Sequence, residues 1–521
     1  MFFINIKVTA ESLSSGVAKH VLISFFFVTV YIVLLACSIK NFSGGRWCGD
    51  WIEHYGRAQF ILGNLPFDYK FLDVYSFTSR PPLANAFYAF FLNFIGNDFF
   101  VFQLVATLAN VFIFFPLSLI LLQVVSPGAS SARVYLLAIL LMANPMFAFN
   151  CVYTWTKLFA GIFIVQGIYF FLKANYKWKN LFCFTFLAFS LLVHYSAGPY
   201  ILAALALYMW DIIPAIRQKQ YKEALLEFSW IGFASLAVLS VWFPWSLATY
   251  GLTDTFLSNT TATSAEIHNF YQNFIILFKN IAFTIFPHPF FGVENSYSYT
   301  LGSEVAVYDF SLSKGLLKNI FDFSIENLPS LSRCRDYFFL IYQSTFLASI
   351  GSVTSLFLIL CFFRKNNRIV YRRQWLVFVG VTLFFGILVN PYECMYGVAH
   401  VCLQPLVLLM LVLAAGMPLG RLSAALLFLG CVVDYFLGLF LHFLILSFSP
   451  VRIMETAQAA GLSLVDLMSS IGPVFVTNFL EKQHLNLHFV GDSFPSFPFF
   501  IPSIFFAVFL IAAWFATKSD P

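Results

Sequence analysis

Charge is scarce in this sequence. Asp, Glu, Lys and Arg make up 10% of its 521 residues, where soluble domains carry about 25%. So thin a polar coat excludes an ordinary soluble enzyme and points to lipid as the solvent. The net charge of +5 does not argue for a nucleic-acid partner, because the basic residues sit in short clusters between apolar runs. Internal repeats and low-complexity tracts are absent from the pattern, and so is any appended soluble domain of ordinary size. A cleavable signal is lacking too: Met1–His20 is mixed, and no small-residue cleavage site follows Val21–Ser38.

Apolar residues are abundant. The chain is 60% hydrophobic and contains 69 Phe, with a mean hydropathy of +0.82. Runs of roughly 18 or more apolar residues read as membrane-spanning helices. The pattern predicts an all-α polytopic membrane protein with about twelve spans. They fall near 20–39, 98–125, 134–150, 156–173, 180–195, 197–214, 226–248, 336–363, 374–390, 396–415, 421–446 and 498–516. Lys173, Lys177 and Lys179 cluster in one connecting loop and Arg217, Lys219 and Lys222 in another. Arg364, Lys365, Arg368, Arg372 and Arg373 share a third. By the positive-inside rule these loops face the cytoplasm, together with both termini.

The rest of the layout follows. A single membrane domain over 1–521 is expected, with a first outer loop at 40–97 and longer outer loops at 249–335 and 447–497. Arg80–Asp98 is too short to cross comfortably, and Pro81 and Pro82 fix its start, so it reads as a helix on the outer surface. Asn269–Phe286 is expected to lie flat at the interface.

Against this background the ionisable residues stand out. "WCGDWIEHYGRAQFILGN" (Trp47–Asn64) places Asp50, Glu53, His54 and Arg57 at i, i+3, i+4 and i+7, one face of a helix. Arg80 then precedes Pro-Pro, Lys157 opens a span in "YTWTKLFAG", and His194 ends one in "LLVHYSAGP". Glu393 and His400 lie in "NPYECMYGVAH". Each is expected at the outer end of a helix. Carboxylates, cations and imidazoles on one face suit a pocket where a carboxylate is the base and cations hold a phosphate.

These residues resemble the first outer loop of the GT-C membrane glycosyltransferases, whose relatives include protein O-mannosyltransferases and the lipid A aminoarabinose transferase. The likeness is carried by Asp50 after the first span, Tyr55–Ala58, and "SRPPL" (Ser79–Leu83). It implies a GT-C-like bundle with interfacial helices in the outer loops, and a sugar moved from a polyprenyl-phosphate donor to an acceptor glycan, lipid or protein. It implies that Asp50 is catalytic, with Glu53 as the second catalytic candidate, and that Arg80 lies beside the donor phosphate, with Lys157 and His194 as further donor contacts. It suggests a bacterial inner (plasma) membrane, with the site facing the periplasm or exterior. Many relatives have Asp-Glu side by side. Here Trp51 follows Asp50 and the second carboxylate is Glu53.

Each residue has a plainer reading. Asp50 caps helices well, Glu53 and Arg57 could be an ordinary i, i+4 pair, and Arg80 and Lys157 could snorkel. His194 could be a structural imidazole. His54, Arg57, Glu393 and His400 are further pocket candidates. A divalent metal is weighed at Glu53 and His54, although no two-His spacing supports it; no other cofactor is implied. Cys48, Cys151, Cys334 and Cys394 fall on the expected outer side, where disulfides persist, but the pairing is open. A transporter or lipid flippase is the rival from another class, since intramembrane charges also mark transport paths. A surface-polysaccharide polymerase or ligase is a second, with Arg333 and Arg335 as its arginines.

Overall fold

In a bilayer each backbone polar group must find its partner within the chain, so the apolar runs fold as helices. The first does so over Ser15–Ser38. The structure is a computed structural model that describes residues 15–42, 50–72, 75–126, 131–173, 176–219, 221–256, 270–286, 296–301, 304–309, 338–339, 341–363, 372–390, 393–394, 397–398, 402–417, 420–447, 455, 458–459, 461, 463 and 482–518. The chain is a helical integral membrane protein. Every expected span overlaps an apolar helix or a bent pair of helices, yet length alone fixes fewer crossings than twelve. Among the described residues four helices are long and apolar enough to cross: Val17–Ser38, Phe99–Val125, Tyr195–Pro214 and Leu422–Leu446. The number rises to six if each bent pair is one span, and the other apolar helices are shorter.

The bends have chemical causes. The run expected at 134–150 breaks by 71° between Ser131–Ala143 and Pro145–Val152. Asn144 is extended, as a residue before proline prefers, and its side chain accepts from Phe147 N–H at 2.9 Å to start the second helix. A second run bends by 72° between Tyr221–Leu239 and Phe243–Thr255. A third, expected at 336–363, is divided at Gly351, whose φ of +117° favours glycine. There the buried Asp434 accepts from Ser352 N–H and Tyr342 O–H, both at 2.9 Å, and so caps the next helix.

The two segments expected at the surface do fold as helices, over Leu83–Ile95 and Phe270–Ile285. The long loop also holds strands the hydropathy reading did not foresee. Ser296–Leu301 pairs antiparallel with Glu304–Asp309; the Tyr and Val alternation in "SYSYTL" and "EVAVYD" is the signal a strand needs.

Candidate active site

The helix Asp50–Ile61 buries Trp51, Glu53, His54, Arg57 and Ala58, so the expected spacing does gather the ionisable residues on one face. Glu53 and Arg57 are fully enclosed. Arg57 Nε and Nη2 donate to Glu53 Oε1 at 3.0 and 2.7 Å. Its Nη2 also donates to Ser79 Oγ at 2.6 Å, and its Nη1 to the Phe77 carbonyl. The guanidinium carbon lies 4.4 Å from the centroid of the Phe71 ring. One arginine thus ties the helix to the turn Phe77–Ser79.

Arg80 follows that turn. Its backbone is extended at φ −128° and ψ 141°, the shape a following proline imposes, and this carries the side chain back toward the helix. Arg80 Nη2 stands 3.5 Å from Glu53 Oε2, and the guanidinium lies 5.7 Å from the Tyr75 ring. Arg80 keeps 18% of its side chain exposed where Glu53 keeps none. Glu53 is therefore the buried anchor of two arginines, and Arg80 is the more open of the pair.

Asp50 is half-buried at the start of the helix. Burial, then the charge of Glu53, push its carboxyl up to about 6, against the pull of Arg80, Lys157 and a hydrogen bond from the Trp155 indole. Glu53 moves the other way. Burial would raise it, but Arg80, Arg57 and His54 together hold it down at about 2. Two carboxylates three residues apart are pulled in opposite directions, the pattern that separates a proton-accepting group from a permanent charge.

Lys157 is the first residue of the helix Lys157–Leu172, half-buried, with its ammonium 5.0 Å from the Trp155 ring. The turn before it is fastened to the site helix, because Thr154 Oγ1 donates to the Trp51 carbonyl at 2.7 Å. Asp50 and Glu53 share this enclosure with Arg57, Arg80 and Lys157. With all five charged, one positive charge is left over, which suits an anionic ligand.

His54 is buried, and its Nδ1 is 3.0 Å from Asn85 Oδ1. Burial, with Arg57 and Arg80 nearby, pushes it down to about 4, so it is a neutral donor to Asn85 near pH 7. The pair weighed for a metal does not fit one: Glu53 faces two guanidinium groups, and no group of three or more His, Cys, Asp and Glu converges among the described residues.

His194 ends the helix Lys179–Val193, and its Nδ1 accepts from Ser196 N–H at 3.1 Å. Its neighbour Tyr195 donates to the Thr78 carbonyl at 3.3 Å, which brings the His194 turn beside the Arg80 turn. Glu393 is set apart from this network, exposed and paired with Lys279 at 2.8 Å. His400, Cys48, Cys334, Arg333 and Arg335 lie outside the described residues. Cys151 is a buried thiol without a disulfide.

Sequence reasoning assigned no role to Trp155, Tyr195, Ser79 and Asn85. The first three adjoin residues already singled out, in the same turns. Asn85 gave no signal, nor did Asp254, whose carbonyl accepts from Thr78 Oγ1 at 2.8 Å across 176 residues.

Fold and site together define an integral membrane protein with a buried charged cluster joined across several helix ends. No protein-family model and no curated protein matches the chain. Among solved structures it is similar to ArnT from Cupriavidus metallidurans bound to undecaprenyl phosphate, with a TM-score of 0.46 and 12% identity, over 94% of this chain and 76% of that one. It is also similar to ArnT from the same organism in the apo state, with a TM-score of 0.48 and 10% identity, over 94% and 75%.

Proposed function

We propose that the protein is a glycosyltransferase that takes a sugar from a polyprenyl-phosphate donor and passes it to an acceptor on the non-cytoplasmic side of the membrane. The observation that carries this reading is the split pair of carboxylates beside three cations. Asp50, pushed up to about 6, is matched to accept a proton near neutral pH. Glu53, held at about 2, stays charged and anchors Arg57 and Arg80.

The chemistry follows from those roles. An acceptor hydroxyl oxygen forms a bond to the anomeric carbon as the bond from that carbon to the phosphate oxygen breaks. The hydroxyl proton goes to Asp50, and the bonding pair leaves with the phosphate. Arg80 and Lys157, with the His194 turn at the rim, offset the charge that builds there. The apolar helices around the cluster seat the polyprenyl tail.

The test is Asp50→Asn, assayed with whichever sugar the wild type transfers in a panel of farnesyl-phosphate-linked sugars. A lost general base removes on the order of 10²–10⁴-fold of the rate, whereas Asn caps a helix about as well as Asp. We expect the large loss with an unchanged melting temperature. A fully active Asp50→Asn enzyme would defeat the reading.

A further inference from the structure

The site helix has a support from the far end of the chain. Residues 482–494 form a knot over the outer end of the first span. Lys40 is held there by all its polar groups. Its N–H donates to the Leu446 carbonyl at 2.9 Å, and its carbonyl accepts from Lys482 Nζ at 2.7 Å. Its own Nζ donates to the carbonyls of Gly491 and Phe494. Lys482 pairs with Asp492 at 2.7 Å, and Asp492 Oδ2 accepts from Phe489 N–H at 2.8 Å. Val490 N–H reaches Gln103 Oε1 at 2.8 Å. A Cβ on Gly491 would run into the Ile39 carbonyl, so the two backbones touch where only glycine fits.

This knot carries a ring, Phe489, against the site helix. Phe489 is fully buried, with Phe42 and Phe99 each 5.0 Å away and the Trp51 indole 5.4 Å away, edge to face. The Lys482 ammonium lies 4.3 Å from the centroid of the same ring. Trp51 is itself enclosed and is the residue after Asp50. Its carbonyl is held by Thr154 and its ring by Phe42, Phe99 and Phe489.

We propose that Phe489 is a positioning residue for Asp50, acting through Trp51: the knot 482–494 presses the Trp51 ring into its nest and so fixes the first turn of the site helix. The proposal rests on the reading of Asp50 as the base. It assigns a catalytic consequence to a residue 439 positions away in the chain, which meets the site helix through the Trp51 ring. Donor binding, which belongs to Arg80 and Lys157, is left untouched.

The experiment compares Phe489→Leu and Lys482→Met with Phe506→Leu in the full-length protein. Phe506 is equally buried but stacks on Tyr435 at 4.4 Å, in the membrane bundle. Farnesyl phosphate binding and turnover are measured, each per folded molecule. Misplacing a reacting group by a fraction of an ångström costs about tenfold to a hundredfold in kcat, while affinity for farnesyl phosphate stays within about twofold. The acid limb of the pH–rate profile should move to lower pH in Phe489→Leu, because a loosened first turn wets Asp50. Phe489→Tyr, which keeps the ring, should restore most of the rate. Lys482→Met loosens the knot from behind and keeps the test alive if Phe489→Leu folds poorly. The proposal is overturned if both variants match Phe506→Leu, losing stability with an unchanged kcat and pH limb. It is overturned too if kcat and binding fall together. Full activity in Asp50→Asn would instead remove the base reading underneath.

Discussion

At the scale of single residues, Asp50 and Glu53 show how neighbours, not residue type, decide a carboxylate's role. Asp50 is half-buried beside another carboxylate, so its proton is held up to about 6. A base must be ionised to work, so the rate should rise with pH through a midpoint near 6 and level off above it. A profile of kcat/KM from pH 4.5 to 8.5 checks this, and a midpoint in the ordinary range near 4 would contradict it. For stability the sign is reversed. A folded-state value above the unfolded one favours the folded state at low pH, and that advantage is lost as pH rises through about 6. Glu53 acts oppositely: its stabilisation is present above the unfolded value and disappears as pH falls toward about 2.

The cations at the same site make a separate prediction. On the proposed reading, Arg80→Ala and Lys157→Ala each remove a charge-assisted partner of the phosphate in a partly desolvated site. The expected cost is about 1.5–3 kcal/mol, roughly tenfold to a hundredfold in farnesyl phosphate affinity. Isothermal titration measures it directly. Unchanged affinity in both variants would return these residues to the role of interfacial anchors. Arg80 keeps part of its side chain open to solvent, and its contact with Glu53 is a loose 3.5 Å.

At the scale of elements, Arg57 joins the helix Asp50–Ile61 to the turn Phe77–Ser79, beside the stacked Phe60 and Phe77 rings. Its bonds to Glu53, Ser79 and the Phe77 carbonyl all lie away from solvent. Removing one partner of such a buried pair leaves the other charge stranded, a loss of about 3–5 kcal/mol. Arg57→Ala should therefore lower the melting temperature strongly, and by more than Arg80→Ala does. Equal melting curves would mean the pair is not structural. This division was partly legible beforehand. The i, i+3, i+4, i+7 spacing put Glu53, His54 and Arg57 on one face, and Pro81 and Pro82 marked the start of the helix that follows Arg80. What spacing could not tell was which face of Glu53 each arginine takes, because that depends on a turn more than twenty residues away. Nor could it supply Asn85 for His54 or Phe489 for Trp51. Such partners are chosen by packing between distant segments, and neither hydropathy nor local spacing carries that information. Helix breaks lay between these cases. Asn144-Pro145 is a visible breaker, but a window average over its apolar neighbours hides the bend.

At the scale of the whole molecule, the remaining question is which side of the membrane the charged cluster faces. The site loop, represented by the exposed Asp68, and the basic loop at Lys219, also exposed, join opposite ends of helices in the expected layout. Lys219 belongs with Arg217 and Lys222, and clusters of that kind are retained in the cytoplasm. An enzyme that draws on a donor displayed outside must present Asp50 on the other face. Cys introduced by Asp68→Cys should react with a membrane-impermeant maleimide in intact cells. Cys introduced by Lys219→Cys should react only once the membrane is opened. Buried native thiols such as Cys37, Cys151 and Cys183 add little background, and a parent lacking all nine cysteines removes the rest. If both positions react from the same side, the cluster and the basic loops share a face, and a donor presented outside could not reach Asp50. Labelling of Lys219→Cys alone in intact cells would invert the topology and turn the site toward the cytoplasm.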